Sequence, residues 1–157
     1  MKELFLIVAG FILAQIPIQF DRKRKLKTHW HAIRAEMMLC HEKVEALLND
    51  HIMAPLYRLP IVAYSTSFPI LLAEGAVTED EVKNIGRCFG QIEDINRGLD
   101  NAAEMNKINN NEKLKEEYGR NCLKAKVLLF GKDDQENLFG PALEIIDSKI
   151  DLQWWRY

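Results

Sequence analysis

Cys40, His41, Cys88 and Cys122 are the side chains in this sequence best suited to hold a soft metal or to carry thiol redox chemistry, because thiolate and imidazole are the ligands that tetrahedral zinc takes. The three cysteines are an odd count, widely spaced, with no C-x-x-C or C-x-x-H motif. They do not form a disulfide framework, and the stronger reading is reduced thiols packed as small apolar groups. A second constellation is polar. Asn96 interrupts an apolar stripe, and Glu93/Arg97 and Asn96/Asp100 are i, i+4 pairs. With Arg34 and Glu36 opposite them, residues Arg34, Glu36, Asn96, Arg97 and Asp100 make a candidate polar layer, able to set helix register as one buried polar residue does in a coiled coil, or to bind a ligand or partner. Catalysis is the weakest use of this layer, which offers no nucleophile beside a base. Tyr57 and Arg58 are candidate cap contacts, with Arg58 suited to the last carbonyls of a helix or to an anionic partner. His29 and His31 flank Trp30 on different sides of a helix and cannot chelate as an i, i+4 pair. His51 falls where an apolar stripe expects a core residue, and a histidine there could also sense pH.

These groups need helices to position them. From residue 28 to 52 apolar residues recur at Trp30, Ile33, Met37, Cys40, Val44 and Leu47, widened by Met38 and Leu48, which is the period of a helix ending at about Met53, before Pro55. Residues 54–77 contain Pro55, Pro60 and Pro69 but are too apolar for an exposed loop; short helical turns capping the far end of a bundle are expected, with Gly75 left-handed at the last stop. Thr78-Glu79-Asp80-Glu81 reads as a capping box, with Val77 stapled onto Val82. A stripe from Val82 through Ile85, Phe89, Ile92, Ile95, Leu99 and Ala102 continues that helix to about Met105. The asparagines of residues 106–111 make a turn, and Leu114, Tyr118, Cys122 or Asn121, Ala125 and Leu128 mark a third helix that stops at Gly131. After a polar hinge at 132–137, Pro141 opens a fourth that ends in the aromatic tail Trp154-Trp155-Arg156-Tyr157. The expected fold class is all-α, an antiparallel bundle of one long helical hairpin plus two further helices. In that hairpin the four Cys and His residues lie within a couple of turns of one level, and the polar residues form another.

Residues 4–20 (LFLIVAGFILAQIPIQF) carry no formal charge and end at a basic cluster containing Arg22, Lys23, Arg24, Lys25 and Lys27. A helix of that length reaches roughly 25 Å against a hydrocarbon core of about 30 Å, with Lys2 and Arg22 able to snorkel across the difference. Basic residues after the run match a stop-transfer order rather than a cleaved leader, and the bias places the C-terminal side in the cytoplasm. The expected organisation is a single-pass anchor at 1–27, in a cell inner membrane or plasma membrane, and a helical body at 28–157. Residues 28–157 hold 15 Lys/Arg and 21 Asp/Glu. So acidic a body disfavours nucleic acid, while the basic cluster suits an anionic lipid leaflet. Gly10 and Ala14 form a small-x-x-x-small pair that could dimerise the anchor. The functional expectation is a membrane-anchored interaction or scaffolding module with a protein partner, no cofactor and no enzymatic activity. The alternative is a helical sensor of a small ligand or metal, built on the polar layer or on the cysteine level.

Overall fold

The computed structural model describes residues 2–53, 57–131 and 137–151, with side chains from residue 15 onward. Pro55, the hinge residues 132–136 and the tail Trp154-Trp155-Arg156-Tyr157 lie outside the described residues, as do the side chains of residues 4–14 and with them the Gly10/Ala14 pair. The described residues are helical in five segments: α1 Lys2–Asn49, α2 Val62–Ala73, α3 Glu79–Lys107, α4 Asn111–Phe130 and α5 Phe139–Asp151. Among them no helix is long and apolar enough to cross a membrane.

Periodicity accounts for the core. Trp30, Ile33, Met37, Cys40, Val44 and Leu47 of α1 are all buried, in one core with Ile85, Cys88, Phe89, Ile92, Ile95 and Leu99 of α3. Each large aliphatic side chain so buried stabilises the fold by roughly 1.5–3 kcal/mol relative to exposure. Met38 departs from the expected stripe and is exposed, whereas Leu48 packs against the core edge. No break falls between residues 27 and 28, because the expected anchor and the first body helix are one helix of 48 residues. At 1.5 Å per residue α1 extends about 72 Å, far longer than the body beside it. It stops at Asn49, earlier than expected, and His51 is left-handed (φ 51°) and exposed, not a core residue.

The local stop and start signals hold. Gly75 (φ 66°) ends α2 in a Schellman motif, with the Ala76 N–H donating to the Leu71 carbonyl and the Gly75 N–H to Leu72. Thr78 and Glu81 form the capping box of α3. Burial pushes the Glu81 carboxyl up, but the Thr78 amide and Lys149 outweigh it and hold the group below its ordinary value. Asn109 (φ 52°) closes α3 as Gly75 closes α2, and Asn110 caps α4 through the Lys113 N–H. Gly131 (φ 79°) comes directly after α4, and α5 begins at Phe139, two residues ahead of Pro141, with the Asn137 side chain accepting from the Gly140 amide.

The topology differs from the expected hairpin. Residues 57–73 do not cap the far end; they return along α1, as contacts of Glu36 with Ala63 and Tyr64, of His29 with Ser67, and of Arg22 with Glu74 record. That return makes α3 antiparallel to α2 and therefore parallel to α1: Tyr64 stacks on Phe89 at 4.0 Å between ring centroids, and Arg58 pairs with Asp100 further up. The bundle runs up, down, up, down. Its second leg is a non-helical stretch, 57–61, continuing into α2, and its fourth is α4 followed by α5, which is pinned by Arg34–Asp147 and Glu81–Lys149.

Helices α3 and α4 approach closely where Gly98 faces Asn121. Asn121 is fully buried, and neither polar atom of its side chain has a hydrogen-bond partner among the described residues. A Cβ at position 98 would fall 1.8 Å from Asn121 Oδ1. Gly98→Ala should therefore destabilise the protein by about 1–3 kcal/mol through overpacking, despite alanine's better helix propensity. Adding Asn121→Ala should recover most of that loss in urea denaturation; additive losses would contradict the packing account.

Candidate functional site

The connection 57–64 lies between α1 and α3, and three of the polar residues singled out in the sequence hold it. Helix α2 has Ile61 at its N-cap, which has no side-chain acceptor, and no acidic residue in its first turn. Its second and third amides, those of Ala63 and Tyr64, instead donate to Glu36 Oε1 and Oε2, each at 2.7 Å. Glu36 on α1 is thus a cap supplied from another helix, 8% exposed and placed at the positive end of the α2 dipole.

Asn96 on α3 grips the same connection from the other side. Its Oδ1 accepts from the Leu59 N–H and its Nδ2 donates to the Leu59 carbonyl, both at 2.8 Å. Leu59 itself is 1% exposed, so these two backbone groups have no ready substitute in water. Further support comes from Tyr57, which donates its hydroxyl to the Lys43 carbonyl, from the Lys43 ammonium over the Tyr57 ring, and from the Cys40 thiol, which donates to the Pro60 carbonyl at 3.2 Å.

The five candidate layer residues therefore do not form a mutual polar layer. Glu36 and Asn96 clamp backbone, Asp100 pairs with Arg58, Arg34 pairs with Asp147 on α5, and Arg97 turns outward to Asp94 with its side chain 73% exposed. Arg58 binds Asp100 and the Tyr57 carbonyl. Magnitudes separate these roles. Half-exposed ion pairs contribute about 0–1 kcal/mol, whereas leaving a buried backbone donor or acceptor unmade costs about 1–3 kcal/mol each. The clamp rests on Glu36 and Asn96.

The cysteine level does not assemble. Cys40 points at Pro60, His41 lies against Glu45 and Phe139, and Cys122 lies beside Tyr118, one turn earlier on α4. Among the described residues no group of three or more His, Cys, Asp or Glu is arranged to hold a metal ion. Burial pushes both the Cys40 and the Cys88 thiol up to about 12, so neither is a ready thiolate.

The other candidate region is the base of the body, where α1 leaves it. Residues 15–20 are all exposed, including Ile16 at 44%, Ile18 at 59% and Phe20 at 46%. Within the adjoining basic cluster, Arg22 pairs with Glu74 at the end of α2 and Lys25 with Asp21 one turn earlier. Arg24 and Lys27 are exposed and have no acidic partner among the described residues. Sequence reasoning missed the part that α2 plays here: its outer face presents Val62, Ile70 and Leu72 to solvent, in a stretch, 59–73, without a formal charge. The missing charge was the available signal. No protein-family model, curated protein or solved structure matches the chain.

The clamp predicts an asymmetry between neighbours. Asn96→Leu should lower unfolding stability by about 2–4 kcal/mol, because both polar groups of Leu59 lose their partners, while Arg97→Leu should change it by less than about 0.5 kcal/mol. Equal effects in urea melts would return Asn96 to the rank of a register device.

Proposed function

We propose that this chain is a membrane-anchored helical interaction module: the N-terminal part of α1 inserts in a bilayer, and the body, on the cytoplasmic side, presents α2 to a protein partner. One observation carries the reading, namely that α1 leaves the body with Ile16, Ile18 and Phe20 exposed and continues as helix to Lys2. Lys2 to Asp21 is about 30 Å of helix at 1.5 Å per residue, the thickness of a hydrocarbon core.

Apolar burial supplies most of the driving force. Each Ile or Phe moved from water into lipid contributes roughly 1.5–3 kcal/mol, whereas a Lys or Arg at an anionic surface contributes about 1 kcal/mol. Arg22 and Lys25 already have acidic partners, so the basic collar orients the anchor more than it binds it. Pro17 sits inside α1 and cannot donate a helix hydrogen bond, a weakness placed near the collar end of the run.

The body's part in this reading is recognition. Surface helices of a solvated domain carry charge on their outer face, and α2 does not: Val62, Ile70 and Leu72 are exposed beside Ser65 and Thr66, on a body of net negative charge. A partner with an apolar groove rimmed by basic residues fits that chemistry. A sensor built on the cysteine level has no converged ligand set to support it, so the interaction module is the reading retained.

Fractionation of cells expressing the full chain tests the anchor. The protein should stay with membranes through alkaline carbonate extraction, and a reporter fused after Tyr157 should be active on the cytoplasmic side. Release by carbonate of a folded protein, or a reporter signal from the opposite side, would overturn the reading.

A further inference from the structure

The base of the body holds an open cavity of about 660 Å³, within the range of sites that take small ligands. Its walls come from the lower part of α1, the α2–α3 connection and the end of α5. The chemistry of the lining is divided. Leu26, Trp30, Ala76 and Val77 form an apolar floor that is continuous with the core, and Trp30 is 3% exposed. Cations stand on the α1 side: Arg22, Lys23, Arg24 and Lys27, with Lys149 across from them and Glu74 as the acid among the lining residues.

Pairing decides which of these charges a ligand could use. Glu74 is taken by Arg22, and Lys149 is taken by Glu81. Arg24 and Lys27 retain unneutralised charge among the described residues, one turn apart on the helix that also carries Trp30. The floor rejects a fully solvated ion, since burying Trp30 and Leu26 under water-filled space wastes their apolar surface. An occupant must therefore join an anionic group to an apolar body. The cavity also opens at the level of Gln19 and Phe20, where the exposed apolar part of α1 meets the basic collar.

We infer that this cavity binds an anionic phospholipid, its phosphate held by Arg24 and Lys27 and the upper part of its acyl chains laid over Leu26, Trp30 and Val77. The inference rests on the membrane reading, which brings lipid to the level of the cavity. Arginine supplies a planar, bidentate match to a phosphate, and lysine a mobile point charge beside it. The site would make the body sensitive to the lipid composition of the leaflet, because the walls belong to the α2–α3 connection and α5 as well as to α1.

Trp30 reports on the site directly. The full chain with Trp154→Phe and Trp155→Phe keeps Trp30 as its single tryptophan, and can be placed in phosphatidylcholine vesicles containing brominated phosphatidylglycerol or brominated phosphatidylcholine. Half-maximal quenching of Trp30 should come at about thirtyfold lower mole fraction of the anionic lipid, the scale expected for two cations at a lipid surface. Arg24→Glu with Lys27→Glu should abolish that preference while leaving the helical circular dichroism intact. Coincident curves for the two lipids, or a preference that survives the double charge reversal, would overturn the site. Flotation with pure phosphatidylcholine vesicles reads the anchor separately. A chain that fails to float but whose Trp30 is quenched by soluble short-chain brominated phosphatidylglycerol keeps the cavity site and loses the anchor. Inorganic phosphate that displaces the lipid at equal concentration would show a site for a free anion and overturn the lipid assignment.

Discussion

The carboxylate of Glu36 sits at the start of α2, and the fold of this protein depends on it. A helix whose N-cap is Ile61 and whose first turn lacks an acid begins with amide donors that its own residues do not meet, in a half-buried position. Glu36 meets two of them from α1. Asn96 does the equivalent for Leu59 from α3. Together they fix a non-helical stretch and a short apolar helix between two long helices, and that insertion turns what would be a simple hairpin into a bundle in which α1 and α3 run parallel.

This arrangement shows which parts of the structure a single sequence discloses. Information local in the chain was legible: the core stripe Trp30, Ile33, Met37, Cys40, Val44 and Leu47, the Thr78/Glu81 capping box, the left-handed stop at Gly75, the asparagine turn after α3 and the end of α4 at Gly131. The pairing of elements was not, because α2 has no start signal of its own. Its cap lies more than twenty residues earlier, in the middle of another helix, and spacing cannot report that. Once α2 is read as a terminal cap, α3 is placed antiparallel to α1, and Glu36 is set opposite Asn96 instead of at the start of α2.

The polar residues show the same limit. Arg34, Glu36, Asn96, Arg97 and Asp100 stood out because they break or flank apolar stripes, and four of the five reach across to another element of the fold. Their type alone does not say whether a buried amide bonds another side chain or the backbone of a passing segment. Asn121 was the opposite case: the stripe allowed either Asn121 or Cys122 to face inward, and the absence of a side chain at Gly98 makes room for the asparagine. At the base of the body the same logic joins structure to the proposed role. The return of α2 brings Glu74 to Arg22, encloses the cavity beside Trp30, and leaves an uncharged helix face outward.

The most direct test of the clamp is native-state hydrogen exchange on the full chain, comparing the Leu59, Ala63 and Tyr64 amides with those of the α3–α4 core. In the wild-type protein these three amides should exchange nearly as slowly as the core. In Glu36→Gln, which presents an amide donor to one of the two N–H groups it must accept, the Ala63 and Tyr64 amides should exchange at least about tenfold faster while α3 and α4 stay protected. Unchanged protection at Ala63 and Tyr64 in that variant would contradict the claim that α2 is held by a cap from α1.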